Sequence, residues 1–527
     1  MARYKPYDLN QSKMIPLSYA DQIVEGSFEH ALNDIVEEHL DLSIFDKRYA
    51  NDDTGRLAYD PRILLKVVLY GYYKGITSSR MLAESCRRNV VFMALSADTR
   101  PHFTTLAAFV SELDQEIVGL FRDVLLYASE LGLIGKEHFA VDGCKLPSNA
   151  SKQWSGTHHE LNEKRKKLER VAERIVVRHR DRDRQEHDTE AAATDAKKAD
   201  RYQQKVAKIK EFLQQTPKKQ GPSGNEQKSN VTDPDSAKMS SSRGVLQGYN
   251  GLAVVDDHAQ IVVHAEAHGS GYEGHLLAPL IEATRQTFFV IDASKDIFKR
   301  VKVTADSGFH SKAVLSAVEA TGADAYIADR EYRRRDPAFA GAARHKERDK
   351  KERALQRRKD KVALPAKKRL FSLQDFHYDQ DKALCICPAG HKLYQSGNHM
   401  LFNGYRVAHF KAPITACRGC PLRSQCLRHP ERSRQRQLTV IKGRDGTPRP
   451  RARKHAPTER MRFKFDSPAG RAIYCRRMPT VEPVFANLQN KGMRRFTLRG
   501  RSKVNAQWQL FTIVHNIEKI AHRRGAD

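Results

Sequence analysis

Three carboxylates in three separate local contexts, spread over 340 residues, constrain this chain more than any other feature. Asp142 closes the apolar run HFAVDG, Asp306 closes VKVTADSG, and Glu482 lies inside the basic segment YCRRMPTVEPVF. An aspartate at the C-terminal end of a strand projects where open α/β sheets bind ligands. Gly143, and the pair Ser307–Gly308, would let the chain turn away and leave both carboxylates exposed. Singly, Asp-Gly and Asp-Ser-Gly are ordinary turn signals. Together with a glutamate on a cationic helix they suit a hard divalent cation. Mg²⁺ takes oxygen ligands and is usually held by a few carboxylates plus substrate phosphates.

The hydrophobic pattern supplies the frame. Residues 1–130 read as a helical N-terminal domain. PRILLKVVLYGYYKG (61–75) has helical spacing and stops at Gly75, and SSRMLAESCRRN (78–89) follows. That pair is a helix–turn–helix candidate with Arg80, Arg87 and Arg88 on its second helix. Residues 131–330 read as a mixed α/β region. A strand at 136–150 is followed by a hairpin across Asp256–Asp257, a helix near 275–287, strands at 300–305 and 324–328, and a helix at 311–320. This region is interrupted at 157–215, where Leu161, Leu168 and Ile175 recur every seven residues and Tyr202, Val206, Ile209 and Phe212 resume the stripe. A coiled-coil-like helical hairpin fits, which could join a second protomer, grip DNA or only extend the fold. Residues 216–243 read as a linker. Residues 331–465 form a basic, Cys-rich second insertion, and 466–527 return to helix, with Pro468 in a first turn and Val504, Trp508, Phe511 and Ile517 on the last stripe.

Charge narrows the partners. The 92 Lys+Arg against 63 Asp+Glu give a net +29, which predicts a phosphate-bearing partner such as nucleic acid. The excess lies beyond residue 130, because residues 1–130 carry 14 basic against 19 acidic side chains. Residues 341–369 hold 13 basic and 4 acidic, and 431–465 hold 12 and 3. No apolar run approaches the roughly 18 residues of a spanning helix, and MARYKPYDLNQSKM has no signal-peptide core. A cytoplasmic, nucleoid-associated protein is expected, with no membrane partner. Five of the eight cysteines fall between 385 and 426, as CICPAGH and CRGCPLRSQC. In a reducing compartment this spacing favours a tetrahedral structural zinc over disulfides. Cys387, Cys417, Cys420 and Cys426 are the expected ligands, with Cys385, His391 or His429 as substitutes.

FAVDGCKLPSNASK, NVTDPDSAKM, TADSGFHS and YCRRMPTVEPVFANLQNKGMRRF, in this order, resemble the DDE transposases of bacterial insertion sequences. Within them the chain resembles the subgroup marked by a Tyr–Arg–Glu–Lys signature. The resemblance implies a ribonuclease H-like core and Asp142, Asp306 and Glu482 as a triad holding two Mg²⁺ or Mn²⁺ ions. It implies DNA as partner, both the element's terminal repeats and the target, and at least a dimer on that DNA. Tyr474 and Arg477 match the signature, although four residues separate Arg477 from Glu482 where the broader pattern has three. Gln489 stands at the lysine position, with Lys491 two residues on, so Tyr474, Arg477 and Lys491 are the expected DNA contacts. The implied reaction is metal-assisted cleavage at the element's ends and joining to target DNA. His310 could assist near the metals. A repurposed, non-cutting DNA-binding protein and a nuclease without strand transfer are the alternatives.

Overall fold

The computed structural model describes residues 18–49, 57–113, 116–183, 189–221, 224–241, 244–292, 296–336, 339, 370–379, 382–402, 405–443 and 456–525. The basic block at 341–369 lies outside the described residues, as does part of the block at 431–465. The chain divides into two compact units: residues 1–330 with 461–527, and residues 331–460.

The first unit is built on a six-stranded sheet. Its strands are β1 (His138–Pro147), β2 (Ala237–Ser241), β3 (Gly244–Asp256), β4 (Val262–His268), β5 (Lys302–Ala305) and β6 (Asp324–Ile327). β1 lies centrally, antiparallel to β3 and parallel to β5, and β5 is parallel to β6. β3 pairs with β2 over its first residues and with β4 over the rest. Near-continuous apolar stretches such as HFAV and GLAVV form the strands because both faces are covered.

Six helices precede β1: α1 (Phe28–Asp34), α2 (Pro61–Tyr73), α3 (Ser79–Arg88), α4 (Val90–Leu95), α5 (Phe103–Glu112) and α6 (Glu116–Glu130). Asp60 caps α2, whose first residue is proline, and Gly75 beyond it has a φ of 76°. Residues 1–130, expected to stand as a domain, share one hydrophobic core with the sheet. The insertion at 157–215 is a helix pair, α7 (His158–Asp183) and α8 (Thr189–Gln215). Leu161 near the start of α7 packs with Ile209 and Phe212 near the end of α8, so the two run antiparallel. After β4 come α9 (Leu277–Ile291) and α10 (Lys312–Ala320), and late in the chain α11 (Pro468–Cys475), α12 (Arg477–Asn490) and α13 (Arg501–Arg524).

The last of these is the axis of the unit. Trp508 of α13 is fully buried, and its indole nitrogen donates to the Leu252 carbonyl at 2.9 Å. It lies flat over Gly251, where a Cβ would stand 2.9 Å from the indole ring, so the strand can carry only glycine there. Phe511 meets Tyr72 of α2 at 4.7 Å between ring centres. The amide side chains of α13 complete the outer edge of β4. Asn516 exchanges two bonds with Val262, at 2.8 and 2.9 Å, Asn505 accepts from Ala267 N–H at 2.8 Å, and Gln509 donates to Ala265 at 3.2 Å. An exposed strand edge is a template for aggregation, and this one is covered.

Residues 216–243 correct the expectation of a linker, because the described part is built into the fold. Asn230, fully buried, donates to Ser151 O and Ser155 Oγ and accepts from the Thr232 and Asp233 amides. Asp233, 1% exposed, accepts from Tyr249 Oη at 2.6 Å and from Gly500 N–H at 3.1 Å, and Asp235 accepts from Arg501 N–H at 2.8 Å. These carboxylates satisfy the first free amides of α13 and place negative charge at its N-terminus. The Thr-Asp-Pro-Asp segment is therefore a clasp for the last helix.

The second unit is a five-stranded antiparallel sheet of β7 (His377–Asp379), β8 (Leu384–Ile386), β9 (Lys392–Phe402), β10 (Tyr405–Lys411) and β11 (Gln437–Gly443), paired in chain order. Phe376, Cys385, Leu393, Phe410 and Leu438 form its core. No helix among the described residues is long and apolar enough to cross a membrane.

Asp233→Ala should cost about 2–4 kcal/mol, since it leaves a buried tyrosine hydroxyl and a helix-terminal amide without their acceptor. Denaturant unfolding of the purified chain measures it, and a loss below about 0.5 kcal/mol would contradict the clasp.

Candidate active site

The parallel register of β1 and β5 pairs Val141 with Ala305, so the next residues, Asp142 and Asp306, stand side by side on adjacent strands. Asp306 leaves its strand there, as expected, and its Oδ1 accepts from Gly308 N–H at 2.8 Å. Asp142 does not. β1 continues to Pro147 against β3, and Gly143 serves packing rather than a turn, since a Cβ there would lie 2.5 Å from Leu252. The expectation of two strand ends thus holds for one aspartate. The other marks where parallel pairing stops while antiparallel pairing goes on.

The third carboxylate comes from α12. Arg477, its first residue, is 8% exposed and sets Nη2 3.0 Å from Asp142 Oδ2. Its Nε is buried with no hydrogen-bond partner. Glu482 is exposed one and a half turns later, close enough to Asp142 to repel its charge. Burial pushes the Asp142 carboxyl above its usual range, and Asp306 and Glu482 add to this; Arg477 and the Gly143 amide pull the other way. The three carboxylates therefore share one electrostatic neighbourhood, with the Arg477 guanidinium against Asp142. Among the described residues, no three His, Cys, Asp or Glu side chains are gathered closely enough to hold a metal ion.

α12 is fixed to the β3–β4 turn. Pro483, directly after Glu482, lacks the amide that would bond the Pro479 carbonyl four residues back. Gln260 supplies a replacement, its Nε2 donating to Pro479 O at 3.0 Å. Gln260 is itself held by Lys519 at 2.8 Å and through its carbonyl by His515 at 2.9 Å. Arg476 pairs with Asp257, which also faces His138 at 3.4 Å. Burial favours the neutral acid at Asp257, but His138 and Arg476 together hold its carboxyl below the usual range.

Other expected contacts are placed differently. Lys491 is 7% exposed, paired with Glu518 at 2.7 Å and stacked 4.4 Å over Tyr73, so its ammonium serves the helical core. This corrects its reading as a phosphate contact: the two-residue offset from Gln489 turns it to the other side of the helix end. Tyr474 is half-buried, edge-on to Phe465 at 4.9 Å. His310 is partly buried, with Nε2 enclosed. The sequence reading missed Glu273, ahead of α9. Lys145 lies 3.3 Å from it, and burial, together with Asp306 and Asp142, raises its carboxyl against that lysine. A lone Glu in the polar loop GSGYEGH carried no usable signal.

In the second unit, Cys387, Cys417, Cys420 and Cys426 line one cavity together with His391. Cys387 sits in a tight turn, its Sγ accepting from His391 N–H at 3.3 Å. Burial pushes the Cys426 thiol up; Arg436 opposes this, and the sulfurs of Cys417, Cys387 and Cys420 reinforce it. Cys385 is fully buried in the sheet core.

A double-mutant cycle tests the Gln260 prop. Gln260→Ala should cost about 1–3 kcal/mol by leaving Pro479 O unpaired. In a Pro483→Ala background, where the helix regains its own amide, unfolding measurements should show that cost reduced by at least about 0.5 kcal/mol.

Comparison with known families agrees with this geometry. The family described as Transposase DDE domain matches residues 386–521, and the family described as Transposase domain (DUF772) matches residues 17–112. No curated protein matches the chain. One family match runs across α1–α5 and another reaches from the second unit through Glu482 into α13, and together they indicate a DDE transposase of an insertion sequence.

Proposed function

We propose that this transposase cuts DNA at the ends of its own element and joins them to target DNA, using Asp142, Asp306 and Glu482 as the cation-holding triad. One observation carries the reading: Asp142 and Asp306 follow the last paired residues of two neighbouring parallel strands, Asp142 feels the charges of both Asp306 and Glu482, and Arg477 and the Gly143 amide compensate it. Carboxylates pushed together at a mutual cost are a donor set for a hard cation. Each aspartate has one oxygen engaged by a backbone amide, Gly143 for Asp142 and Gly308 for Asp306, which orients the other. The strand order β4–β3–β1–β5–β6, with β3 alone reversed against β1, supports a ribonuclease H-like core.

Two bound Mg²⁺ or Mn²⁺ ions would lower the pKa of the attacking water and stabilise charge on the phosphoryl oxygens. The chain's residues account for the rest. Arg477 favours the charged form of Asp142 and orients it, and its unpartnered Nε has a donor ready for a phosphate oxygen. Gln260 and Asp257 hold the first turns of α12 and so the direction from which Glu482 approaches. Cleavage releases a 3′-hydroxyl at the element's end, and that hydroxyl attacks a target phosphodiester, the departing strand leaving as the new bond forms. Positioning and charge carry such reactions without a covalent enzyme intermediate. Tyr474, at the end of α11, lies in the same segment and is assigned to the flanking strand.

We further assign Cys387, Cys417, Cys420 and Cys426 to a structural zinc. The shared cavity, the N–H···S bond at Cys387 and the separate burial of Cys385 support that set. Four thiolates suit zinc, and closing the site would draw the sulfurs inward.

Asp142→Asn should abolish Mg²⁺-dependent cutting of DNA flanking the coding region while changing affinity for that DNA less than about threefold, under 1 kcal/mol. A gel assay reads cutting and anisotropy reads binding. An Asn variant that still cuts would remove Asp142 from the triad, and binding without cutting by the unaltered chain would favour a repurposed DNA-binding protein. Elemental analysis of protein purified without chelator should find about one zinc per chain. Cys417→Ser should lower that content, and a metal-free wild-type chain would overturn the assignment.

A further inference from the structure

A cleft of about 430 Å³ is walled by β1 and α12, the elements that carry Asp142 and Glu482, and by residues of β2 and β3. On β1, Asp142, Cys144 and Leu146 share a face, and all of Cys144, Lys145, Leu146 and Pro147 line the cleft, with the Lys145 charge already paired to Glu273 at 3.3 Å. At about 3.3 Å per residue the cleft floor begins roughly 7 Å from Asp142. On α12, Gln489 follows Glu482 by seven residues, two turns along one face and about 10 Å away, and both are exposed. Gln489 lines the cleft as well, joined by Lys152 from the loop after β1 and Arg494 from the segment after α12. None of the residues lining the cleft is acidic. Lys152 and Arg494 are exposed; Lys152 donates to the Val245 carbonyl at 3.1 Å and forms no ion pair among the described residues.

We propose that this cleft is a binding site for the phosphodiester backbone of a single DNA strand, the one running from the reacting phosphate, with Lys152 and Arg494 as its phosphate contacts. The inference rests on the phosphoryl-transfer reading for its direction. A strand held at Glu482 therefore reaches Gln489 within a few nucleotides. The two cations stand where the helix itself has an uncharged amide. The volume lies within the roughly 300–1,000 Å³ of sites that take small-molecule-sized groups, enough for a strand but not for a duplex.

Full-length protein is titrated by fluorescence anisotropy with a fluorescein-labelled oligothymidylate at several salt concentrations. The double variant Lys152→Ala/Arg494→Ala should bind at least about tenfold more weakly, and its salt slope should fall by about 1.4 for two lost phosphate contacts on a single strand. Lys152→Arg/Arg494→Lys should restore both values, because charge and not packing is at issue. The comparison variant Lys299→Ala/Arg300→Ala removes two exposed cations ahead of β5, at the end of that strand remote from Asp306, and should match the wild type. Equal affinity and slope in the two alanine pairs would overturn the proposal. A parallel cutting assay separates it from its premise. If the wild type cuts and the Lys152/Arg494 pair binds normally, the cleft assignment fails alone. If nothing cuts but the affinity loss stands, the strand site survives and the phosphoryl-transfer reading does not.

Discussion

The unit that carries the carboxylates depends on hydrogen bonds between the side-chain amides of α13 and the outer edge of β4. A strand edge offers unpaired donors and acceptors at a fixed spacing, and Asn505, Gln509 and Asn516 meet them along one helix. The alignment is enforced at the start of α13 by Asp233 and Asp235 and along its length by Trp508 over Gly251. Once α13 is in register, the N-terminal helices have a surface to pack on and α12 has a support behind it. Glu518, on α13, holds Lys491 and Asn487 at the end of the glutamate helix. The position of Glu482 is thus inherited from a helix that carries none of the three carboxylates.

Within the site, two opposing electrostatic demands are balanced. Burial and like charge oppose ionisation of Asp142, and a single guanidinium favours it. A buried arginine with one nitrogen on a carboxylate and another unpaired is only partly satisfied. It retains donor capacity for an incoming anionic group, and a hard cation near Asp142 would free that capacity. Under the proposed function, an anionic substrate and a cation would therefore favour each other's binding in this geometry.

Much of this was legible in the sequence, for reasons that separate cleanly. Local patterns gave the helices, the strand pair across Asp256–Asp257, the hairpin at 157–215 and the second insertion, because each is set by near-neighbour periodicity and turn chemistry. Of the residues drawn from motifs, Asp142, Asp306 and Glu482 lie near enough for the latter two to act on the charge of the first. What was not legible depends on contacts between distant residues. Asp142 reads as a strand end because nothing near it reveals that Leu252 needs the space over Gly143. Residues 216–243 read as linker because their partners, Ser151, Tyr249 and Gly500, lie elsewhere in the chain. Lys491 reads as a DNA contact until Glu518 and Tyr73 are placed beside it. Glu273 was invisible for the same reason.

The order of the carboxylates along the chain has a consequence for synthesis. Glu482 follows Asp142 by 340 residues, with the whole second unit between Asp306 and the glutamate helix. At about 5–20 residues per second, roughly 20–70 s separate translation of the first carboxylate from the last. During that interval a nascent chain displays both aspartates but has neither Glu482 nor the helix that covers β4. A broken message therefore yields a fragment with an uncovered sheet edge and an incomplete set of carboxylates. Spreading the three carboxylates over residues 142–482 makes their assembly all-or-none, so whatever chemistry they carry is withheld from incomplete products by topology alone.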